Sequence, residues 1–390
     1  MILGIISDAH HYYDEKGRLC TLSLLARQFE MWAGLFDKVI ICAPLLPGAP
    51  RELHSPYTVG NIELMPIKNA GGNNFKAKMT LILRSVTWYK EIRKLFQFVD
   101  AVHIRCPNNV AIPGLIALQK TRLFRQAVYT GSWLGHPGEP LTYRLQKYYL
   151  RHCFKGPIAV YGSWPDQPDH IVSSFSPSYS QYDWEVETPQ VESRLKKLGR
   201  GLGENYPLSL MSVGALNVNK NQKVIIDALS ILSQKKINFS MNFFGDGPEL
   251  ANLEERVRDY KLDKHVKFYG VVSQEQLRQF YRLSDFVIQA PLSEGFGKVP
   301  IEAFFHGVIP ILSDVDMSKQ IIGDGLRGRC FNMDNPHEIA DNIIILSEQP
   351  HVMVSMIRNG RDYALKMTLE SWQRHIKKIL CSYWKVDLGK

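Results

Sequence analysis

The chain has 390 residues, more than one hydrophobic core usually supports, so two domains are expected. Its hydrophobic content of 45% is that of a globular protein, and no apolar run reaches the roughly 18–20 residues of a membrane-spanning helix. Residues 1–6 are too short for a signal segment and predict a strand. The six scattered cysteines form no CxxC pair, which favours buried, reduced thiols over disulfides or a metal site.

Positive charge is concentrated in the first half of the chain. Residues 1–200 contain 24 Lys and Arg against 16 Asp and Glu, whereas residues 201–390 contain 23 against 22. This asymmetry predicts that the first half contacts an anionic partner, which could be a membrane surface, a lipid-linked phosphate or nucleic acid. Because no nucleic-acid recognition motif accompanies the charge, we expect no nucleic-acid partner.

The first half alternates strand-like apolar runs with helical patterns. Strands are predicted at residues 2–7, 38–43, 101–104, 127–129 and 157–161. A helix is predicted at residues 19–33. The alternation indicates a mostly parallel sheet with right-handed crossovers. His10 follows the first strand directly, so it is a candidate ligand contact at the edge of that sheet.

Two basic amphipathic segments lie in this half, at residues 75–98 and 143–155. In both, lysine and arginine alternate with aliphatic and aromatic residues. The more common structure for such a segment is a surface helix packed on its own sheet; the alternative is contact with an anionic membrane surface. Residues 173–206 lose the periodic pattern, and we place the domain boundary within them.

The second half restarts the alternation. Strands are predicted at residues 208–213, 239–244, 265–269, 285–290 and 308–312. Helices are predicted at residues 222–233, 273–283, 336–346, 351–367 and 371–384, with a further charged helix ending at residue 260. The chain therefore predicts an α/β fold of two doubly wound, Rossmann-like domains facing a central cleft, with domains at residues 1–180 and 200–369.

The most informative stretch is residues 293–307, which lies between two of the predicted strands. A glycine loop is followed there by a short helix that is predicted to begin at Pro300 and to end before Gly307. The N–H groups and the positive end of such a helix favour a phosphate. Glu294 and Glu302 would repel phosphate, so we expect them to bind hydroxyl groups. Phosphate together with hydroxyls predicts a sugar nucleotide.

Four motifs stand in the order of a known family. They are S-V-G-A-L at residues 212–216 with Lys220, F-G-D-G-P at 244–248, V-K-F-Y-G at 266–270, and the paired glutamates E-x7-E at 294 and 302. Over residues 208–380 the chain resembles the GT-B fold, retaining glycosyltransferases of group 1, family 4. The resemblance implies a GT-B fold whose last helix, at residues 370–388, packs back on the N-terminal domain. It also implies transfer of a sugar to an acceptor hydroxyl with retention, in polysaccharide biosynthesis.

The resemblance assigns roles to the donor side. Glu294 and Lys220 would be catalytic, with Glu294 on the donor sugar and Lys220 on the departing diphosphate. The implied donor-binding residues are Gly214, Tyr269, Gly270, Val271, Phe296, Gly297, Lys298, Val299 and Glu302, of which Glu302 would hold the ribose. Where relatives carry an arginine after the first-strand glycine, this chain has Ala215, so one positive charge is missing from the expected phosphate clamp.

On the acceptor side, His103 stands in a D-x-V-H strand and is the third catalytic candidate. Its alternative role is that of a structural histidine at the end of a strand. Further acceptor candidates are His10, Arg105, Thr130 and His136. Thr130 stands where relatives often carry a histidine, and His136 could compensate for it only through a different loop path.

The expected donor is a UDP- or GDP-sugar and the expected acceptor a glycan or a lipid-linked molecule, with no other cofactor and no metal. The acidic pair at residues 314 and 316 is only a weak metal candidate. The expected location is the cytoplasm, with the inner face of the plasma membrane as the alternative.

A nicotinamide oxidoreductase is disfavoured, because G-x-G-x-x-G follows the first strand of neither half. A PLP-dependent phosphorylase would usually be longer. A degenerate relative that binds without turnover stays open, because of Ala215 and Thr130.

Overall fold

A parallel β-sheet lies at the centre of each half of the protein in the computed structural model. The structure describes residues 1–69, 75–136, 138–201, 206–315 and 317–388, and it describes only the backbone of residues 75–80 and 82. By its internal contacts the chain divides into unit 1, Met1–Ser176 with Leu369–Lys390, and unit 2, Pro177–Thr368. The predicted α/β class is confirmed, since each unit is a sheet flanked by helices.

Within the described residues, unit 1 has a seven-stranded parallel sheet and a small three-stranded antiparallel one. The strands are β1 (Ile2–Ile6), β2 (His11–Tyr13), β3 (Leu19–Leu22), β4 (Lys38–Pro44), β5 (His54–Pro56), β6 (Ile62–Ile67), β7 (Ala101–Cys106), β8 (Phe124–Tyr129), β9 (Ile158–Tyr161) and β10 (Ile171–Ser174). The large sheet has the order β10-β9-β8-β7-β1-β4-β6, and the small one the order β2-β3-β5. The carboxyl ends of β1, β7 and β8 are therefore neighbours at one edge.

The helices of the first 176 residues are α1 (Ser23–Ala33), α2 (Phe75–Leu95), α3 (Ala111–Leu118) and α4 (Leu141–His152). The helix predicted from residue 19 begins only at Ser23, because residues 19–22 pair with β2 and β5. The basic segment predicted at residues 75–98 is largely helical, but its side chains at Lys76, Lys78 and Ile82 lie outside the described residues.

The same sheet pattern, shorter by one strand, is repeated in the described part of unit 2. Its strands are β11 (Leu208–Val213), β12 (Phe239–Phe244), β13 (Val266–Phe268), β14 (Phe286–Gln289), β15 (Ile309–Ser313) and β16 (Arg329–Phe331), in the order β13-β12-β11-β14-β15-β16. Its helices are α5 (Gln181–Gly199), α6 (Gln222–Gln234), α7 (Leu250–Asp259), α8 (Gln274–Leu283), α9 (Lys298–Phe305), α10 (Ser318–Ile322), α11 (Pro336–Ser347) and α12 (Pro350–Leu365). Ser273 caps α8 in the predicted capping box.

The prediction that residues 173–206 lack regular structure is wrong, because Gln181–Gly199 form helix α5. The signal for it was a capping box: the Ser180 hydroxyl accepts from Asp183 N at 3.1 Å, and the Asp183 carboxylate accepts from Ser180 N at 2.7 Å. Pro189 inside the helix and the many charged residues concealed its apolar stripe. The helix is joined to α8 by ion pairs, which run from Arg278 to Asp183 at 2.6 Å and from Arg282 to Glu187 at 2.7 Å.

The chain ends in α13 (Leu369–Trp384), which belongs to unit 1. The rings of Trp372 and Trp32 lie 5.6 Å apart edge to face, and the Gln373 amide donates to Met31 O at 2.7 Å. Among the described helices, none has both the length and the apolar character needed to cross a membrane. The six cysteines, all of them described, are free thiols; Cys20, Cys42 and Cys106 are buried as predicted, whereas Cys330 and Cys381 are half-buried and Cys153 is exposed.

Candidate functional site

The loops that follow β11, β12, β13 and β14 meet at the carboxyl edge of the unit 2 sheet, where open α/β sheets bind ligands. Residues 214–220, 245–248, 269–273 and 290–297 form them, and we call this set the loop rim. Its members are joined by hydrogen bonds from Gly214 N to Phe244 O (2.9 Å), from Gly245 N to Gly270 O (2.7 Å) and from Leu292 N to Asn219 O (2.7 Å). Backbone hydrogen bonds therefore hold these loops in fixed positions relative to one another.

Close backbone approach explains the glycine of the F-G-D-G-P motif. Gly245 has φ +128°, and a Cβ added to it would lie 2.0 Å from Gly214 O. Only glycine permits both that backbone conformation and that contact. The motif thus brings the β12 loop against the β11 loop, which carries Gly214 and Lys220.

Lys220 and Glu294 form an ion pair on the loop rim. Lys220 ends a 3-10 turn, Val218–Lys220, and its backbone N–H is capped by the Asn217 side chain at 3.0 Å. The aliphatic part of Lys220 lies over Gly214, whose added Cβ would be 3.6 Å from Lys220 Cε. The Lys220 and Glu294 side chains are 24% and 30% exposed, so the charged pair is open to solvent and to a ligand.

The amino end of α9 also lies on the loop rim. Gly297, at φ +70°, precedes the helix, and none of the described side chains caps it. The helix begins at Lys298 rather than at Pro300 as predicted; a proline costs no helical bond anywhere in the first turn, because those N–H groups have no partner inside the helix. Lys298 and Val299 are half-buried, and the Phe296 side chain is buried. The positive end of the helix dipole makes this end suitable for an anion.

Glu302 lies one turn into α9 and is almost completely buried. Its carboxylate accepts hydrogen bonds from Ser178 Oγ at 2.7 Å and from Tyr281 OH at 3.4 Å. The Tyr281 ring is stacked on His306, with 5.1 Å between the centroids. Burial and then the Glu302 charge raise the pKa of Tyr281 well above its ordinary value, so its hydroxyl stays a donor.

Sequence reasoning missed Ser178 and Tyr281 as partners of Glu302. Ser178 is separated from Glu302 by 124 positions, and no local pattern connects them. Tyr281 could have been found as an inward-facing residue of the predicted helix α8. A carboxylate has further lone pairs, so Glu302 keeps acceptor capacity for a ligand.

Tyr269, Gly270 and Val271 form the outer part of the loop rim after β13. The Tyr269 ring packs on Phe244, at 5.1 Å between centroids, and on Phe280, at 4.8 Å. Gly270 has φ +67°, which turns the chain, and Val271 is 50% exposed. The result is an aromatic and apolar shelf near the amino end of α9, whose Val299 packs on the same cluster as Phe244 and Phe280.

The acceptor candidates lie in unit 1, at the carboxyl ends of adjacent strands. His10 is exposed and, with Asp8, lines a cavity of about 280 Å³ after β1. The Arg105 guanidinium lies 5.8 Å from the centroid of the Phe29 ring. The Thr130 hydroxyl is turned inward and donates to a backbone carbonyl at 3.1 Å, and His136 is exposed on the following loop.

The burial of His103 favours its structural alternative over a catalytic role. It lies in the middle of β7, 2% exposed, with its ring 4.7 Å from that of Trp32. Nδ1 donates to the Gln126 amide oxygen, and Nε2 is buried without a partner among the described residues. Burial, and then the charge of Arg105, lower the pKa of His103 to about 3. His103 is therefore a neutral interior residue between the sheet and α1.

We predict that buried His103 makes the protein sensitive to acid. The unfolded chain binds a proton near pH 6.5 and the folded chain only near pH 3, so stability should fall as pH drops below 6.5, by up to about 1.4 kcal/mol per pH unit. Urea unfolding at several pH values should show a shallower loss for His103→Gln. The exposed His152→Gln is the control. Equal pH slopes for wild type and His103→Gln would refute the prediction.

The structure adds no observation in favour of a metal site at residues 314 and 316. Asp316 lies outside the described residues, and Asp314 forms an ion pair with Lys319 at 2.9 Å. Among the side chains that are described, no three His, Cys, Asp or Glu residues are grouped as metal ligands.

Comparison with known families matches residues 200–363 to the family described as Glycosyl transferases group 1. This segment contains the whole loop rim. Among curated relatives, the "Uncharacterized glycosyltransferase MJ1178" of Methanocaldococcus jannaschii is 26% identical over 167 residues, which are 43% of this chain and 46% of the relative. The "Alpha-monoglucosyldiacylglycerol synthase" of Streptococcus pneumoniae is 24% identical over 160 residues, 40% of this chain and 36% of the relative. The chain thus spans less than half the length of each of these relatives.

Among solved structures, Anabaena Alr3699/HepE in complex with UDP-glucose superposes with a TM-score of 0.69. It is 14% identical and covers 98% of this chain and all of that one. At this identity the likeness establishes the fold, which is GT-B.

Proposed function

We propose that the chain is a retaining glycosyltransferase that moves a sugar from a nucleoside diphosphate sugar to a hydroxyl group of a glycan or a lipid-linked acceptor. The ion pair of Lys220 and Glu294, beside the uncapped amino end of α9, carries this proposal. A cation and a carboxylate thus lie on the same rim as a helix end whose dipole favours an anion, which suits a diphosphate joined to a sugar. The family match over residues 200–363 and the names of the relatives support the same chemistry.

In the ligand-free chain Lys220 is already paired with Glu294. A diphosphate carries more negative charge than one carboxylate, so it competes with Glu294 for the ammonium group. Once displaced, the Glu294 carboxylate can accept hydrogen bonds from the hydroxyls of the donor sugar. Donor binding therefore exchanges one ion pair for two charge-assisted contacts.

In this mechanism the bond between the anomeric carbon and the diphosphate oxygen breaks while the acceptor hydroxyl forms the new bond. The diphosphate takes up the electron pair and accepts the proton of the attacking hydroxyl on the same face of the sugar, which retains the configuration. Lys220 and the N–H groups of α9 stabilise the growing negative charge, so no protein carboxylate has to act as a nucleophile.

Glu302 is proposed to accept hydrogen bonds from the ribose hydroxyls. Ser178 and Tyr281 hold its carboxylate in place from the protein side. Tyr269, Gly270 and Val271 would then flank the base. The chemistry of this shelf is apolar and aromatic, so it is compatible with both UDP- and GDP-sugars.

His10, Arg105, Thr130 and His136 are proposed to lie on the acceptor side, which belongs to unit 1. The proposed setting is polysaccharide biosynthesis in the cytoplasm. The name of one relative supports a lipid acceptor: the Streptococcus pneumoniae protein is an alpha-monoglucosyldiacylglycerol synthase.

Ala215 favours a second function, binding of a nucleotide sugar or glycan without turnover. The family resemblance places an arginine at this position, and alanine supplies no charge to a departing diphosphate. Binding and turnover must therefore be measured separately.

A thermal-shift screen with UDP-, GDP-, ADP- and CDP-sugars tests the donor side. We expect a UDP- or GDP-sugar to raise the melting temperature, since a ligand at about 100 times its Kd stabilises a protein by about 2.7 kcal/mol. The free sugar at the same concentration should have no effect. If no nucleotide sugar shifts the transition, the proposed donor site is wrong.

A further inference from the structure

Helix α4 presents an apolar stripe to solvent. Leu141, Leu145 and Tyr148 follow the i, i+4, i+7 spacing of one helix face and are 66%, 58% and 64% exposed. The opposite face of α4 already packs on the sheet through Leu150. The packing of α4 on the sheet therefore does not explain why these three apolar side chains are exposed.

Helices α2, α3 and α4 cover the same face of the unit 1 sheet. Their inward residues Trp88, Leu115 and Leu150 belong to one core cluster with the strands. On the outer side, α2 exposes Leu83 and Val86 as further apolar side chains. We call the outer side of these three helices the basic helix layer.

Charge in this segment is almost entirely positive. Residues 75–155 contain 14 Lys and Arg against 3 Asp and Glu, a net charge of +11, which exceeds the +9 of the whole chain. Residues 141–155 contain no acidic residue, and Arg144 in α4 and Lys155, three residues after the end of α4, are both exposed. Of the acidic residues, Glu91 pairs with Lys94 and Glu139 with Lys147, so the acids oppose little of the outward charge.

We propose that the basic helix layer docks on an anionic lipid bilayer, with Leu141, Leu145 and Tyr148 entering the interface and the surrounding cations binding lipid headgroups. Exposed apolar side chains flanked by cations are what such a surface binds, whereas a nucleic acid would not require the apolar stripe. Helix α4 begins at the sheet edge that carries His10 and Thr130. If the proposed function holds, docking places that edge close to a lipid-linked acceptor.

Co-sedimentation of the full chain with lipid vesicles tests the docking. We expect binding to vesicles of equal parts phosphatidylglycerol and phosphatidylcholine, weaker binding at high salt, and none to pure phosphatidylcholine. Arg144→Gln with Lys155→Gln should weaken binding by roughly fivefold per charge, about 25-fold in all. Leu145→Ser with Tyr148→Ser should weaken it by at least about tenfold.

The matched control is Lys196→Gln with Arg258→Gln, which removes two exposed cations from unit 2 and should leave vesicle binding unchanged. All these positions are exposed, and unchanged melting curves would show that the variants fold. Absence of vesicle binding, or equal losses for the control and the α4 variants, would overturn the docking. So would a dimer in solution that the α4 variants dissociate, or binding of RNA that they abolish while vesicle binding persists. Vesicle binding needs no turnover, so its failure would leave the proposed function untouched.

Discussion

Lys220→Ala is expected to lower the rate of sugar transfer by about two orders of magnitude or more, the size of a lost transition-state contact. In the proposed mechanism Lys220 stabilises the negative charge that grows on the departing diphosphate, and the structure shows no second cation paired with Glu294 among the described residues. Because the leaving oxygen carries more negative charge in the transition state than in the bound donor, kcat should fall more than the affinity for the donor. Steady-state kinetics with the donor identified by the thermal-shift screen measure both.

Lys223→Ala is the matched control for this variant. Lys223 is exposed in the first turn of α6, only a few residues from Lys220, so its loss removes the same charge without touching the ion pair. Glu294→Ala should lose a similar amount of activity, because it removes the acceptor for the sugar hydroxyls. Turnover close to that of wild type in either Lys220→Ala or Glu294→Ala would refute the roles given to the pair.

The largest expected effect on stability is that of Arg361→Ala. The Arg361 guanidinium lies 4.2 Å from the Trp184 ring and donates to Trp184 O at 2.9 Å, to the Thr188 hydroxyl and to Phe305 O. It thereby joins α12 to α5 and α9. Burial lowers the pKa of Arg361 to about 10, which leaves it charged at neutral pH. Its removal leaves buried acceptors without donors, so we expect a loss of about 3–5 kcal/mol.

Chemical unfolding of Arg361→Ala beside Arg358→Ala measures this loss. Arg358 is exposed on the same helix, and its replacement should change the free energy of unfolding by no more than about 0.5 kcal/mol. Similar free energies of unfolding for the two variants would show that Arg361 does not hold α5 in place.

Five of the six strands described in unit 2, all except β16, were predicted from the sequence, because buried parallel strands are continuous apolar runs. The predicted ranges 208–213 and 239–244 coincide with β11 and β12. Helix α5 was missed although its capping box is a local signal, since the helix carries a proline and is held by ion pairs to distant arginines of α8. Its stability comes from tertiary contacts that a local pattern does not contain.

The part of the candidate site that could be predicted from the sequence is the part whose residues lie close together in the chain. Glu294, Gly297 and Glu302 are close in sequence and share one loop and helix. The pairing of Lys220 with Glu294 joins residues 74 positions apart, and its geometry came only from the structure. The two roles weighed for His103 could not be separated from the sequence, because the packing of its ring on Trp32 joins residues that are far apart in the chain.

The anomeric configuration of the sugar released from the donor tests the central claim most directly. NMR of an α-linked nucleoside diphosphate sugar during slow hydrolysis by the protein, with water in place of the acceptor, shows which anomer forms first. The proposed mechanism predicts the α anomer, and its rate of release should fall in Lys220→Ala and Glu294→Ala. Release of the β anomer would contradict retention. Tight donor binding without release from any nucleotide sugar, with or without acceptor, would show a binding protein rather than an enzyme.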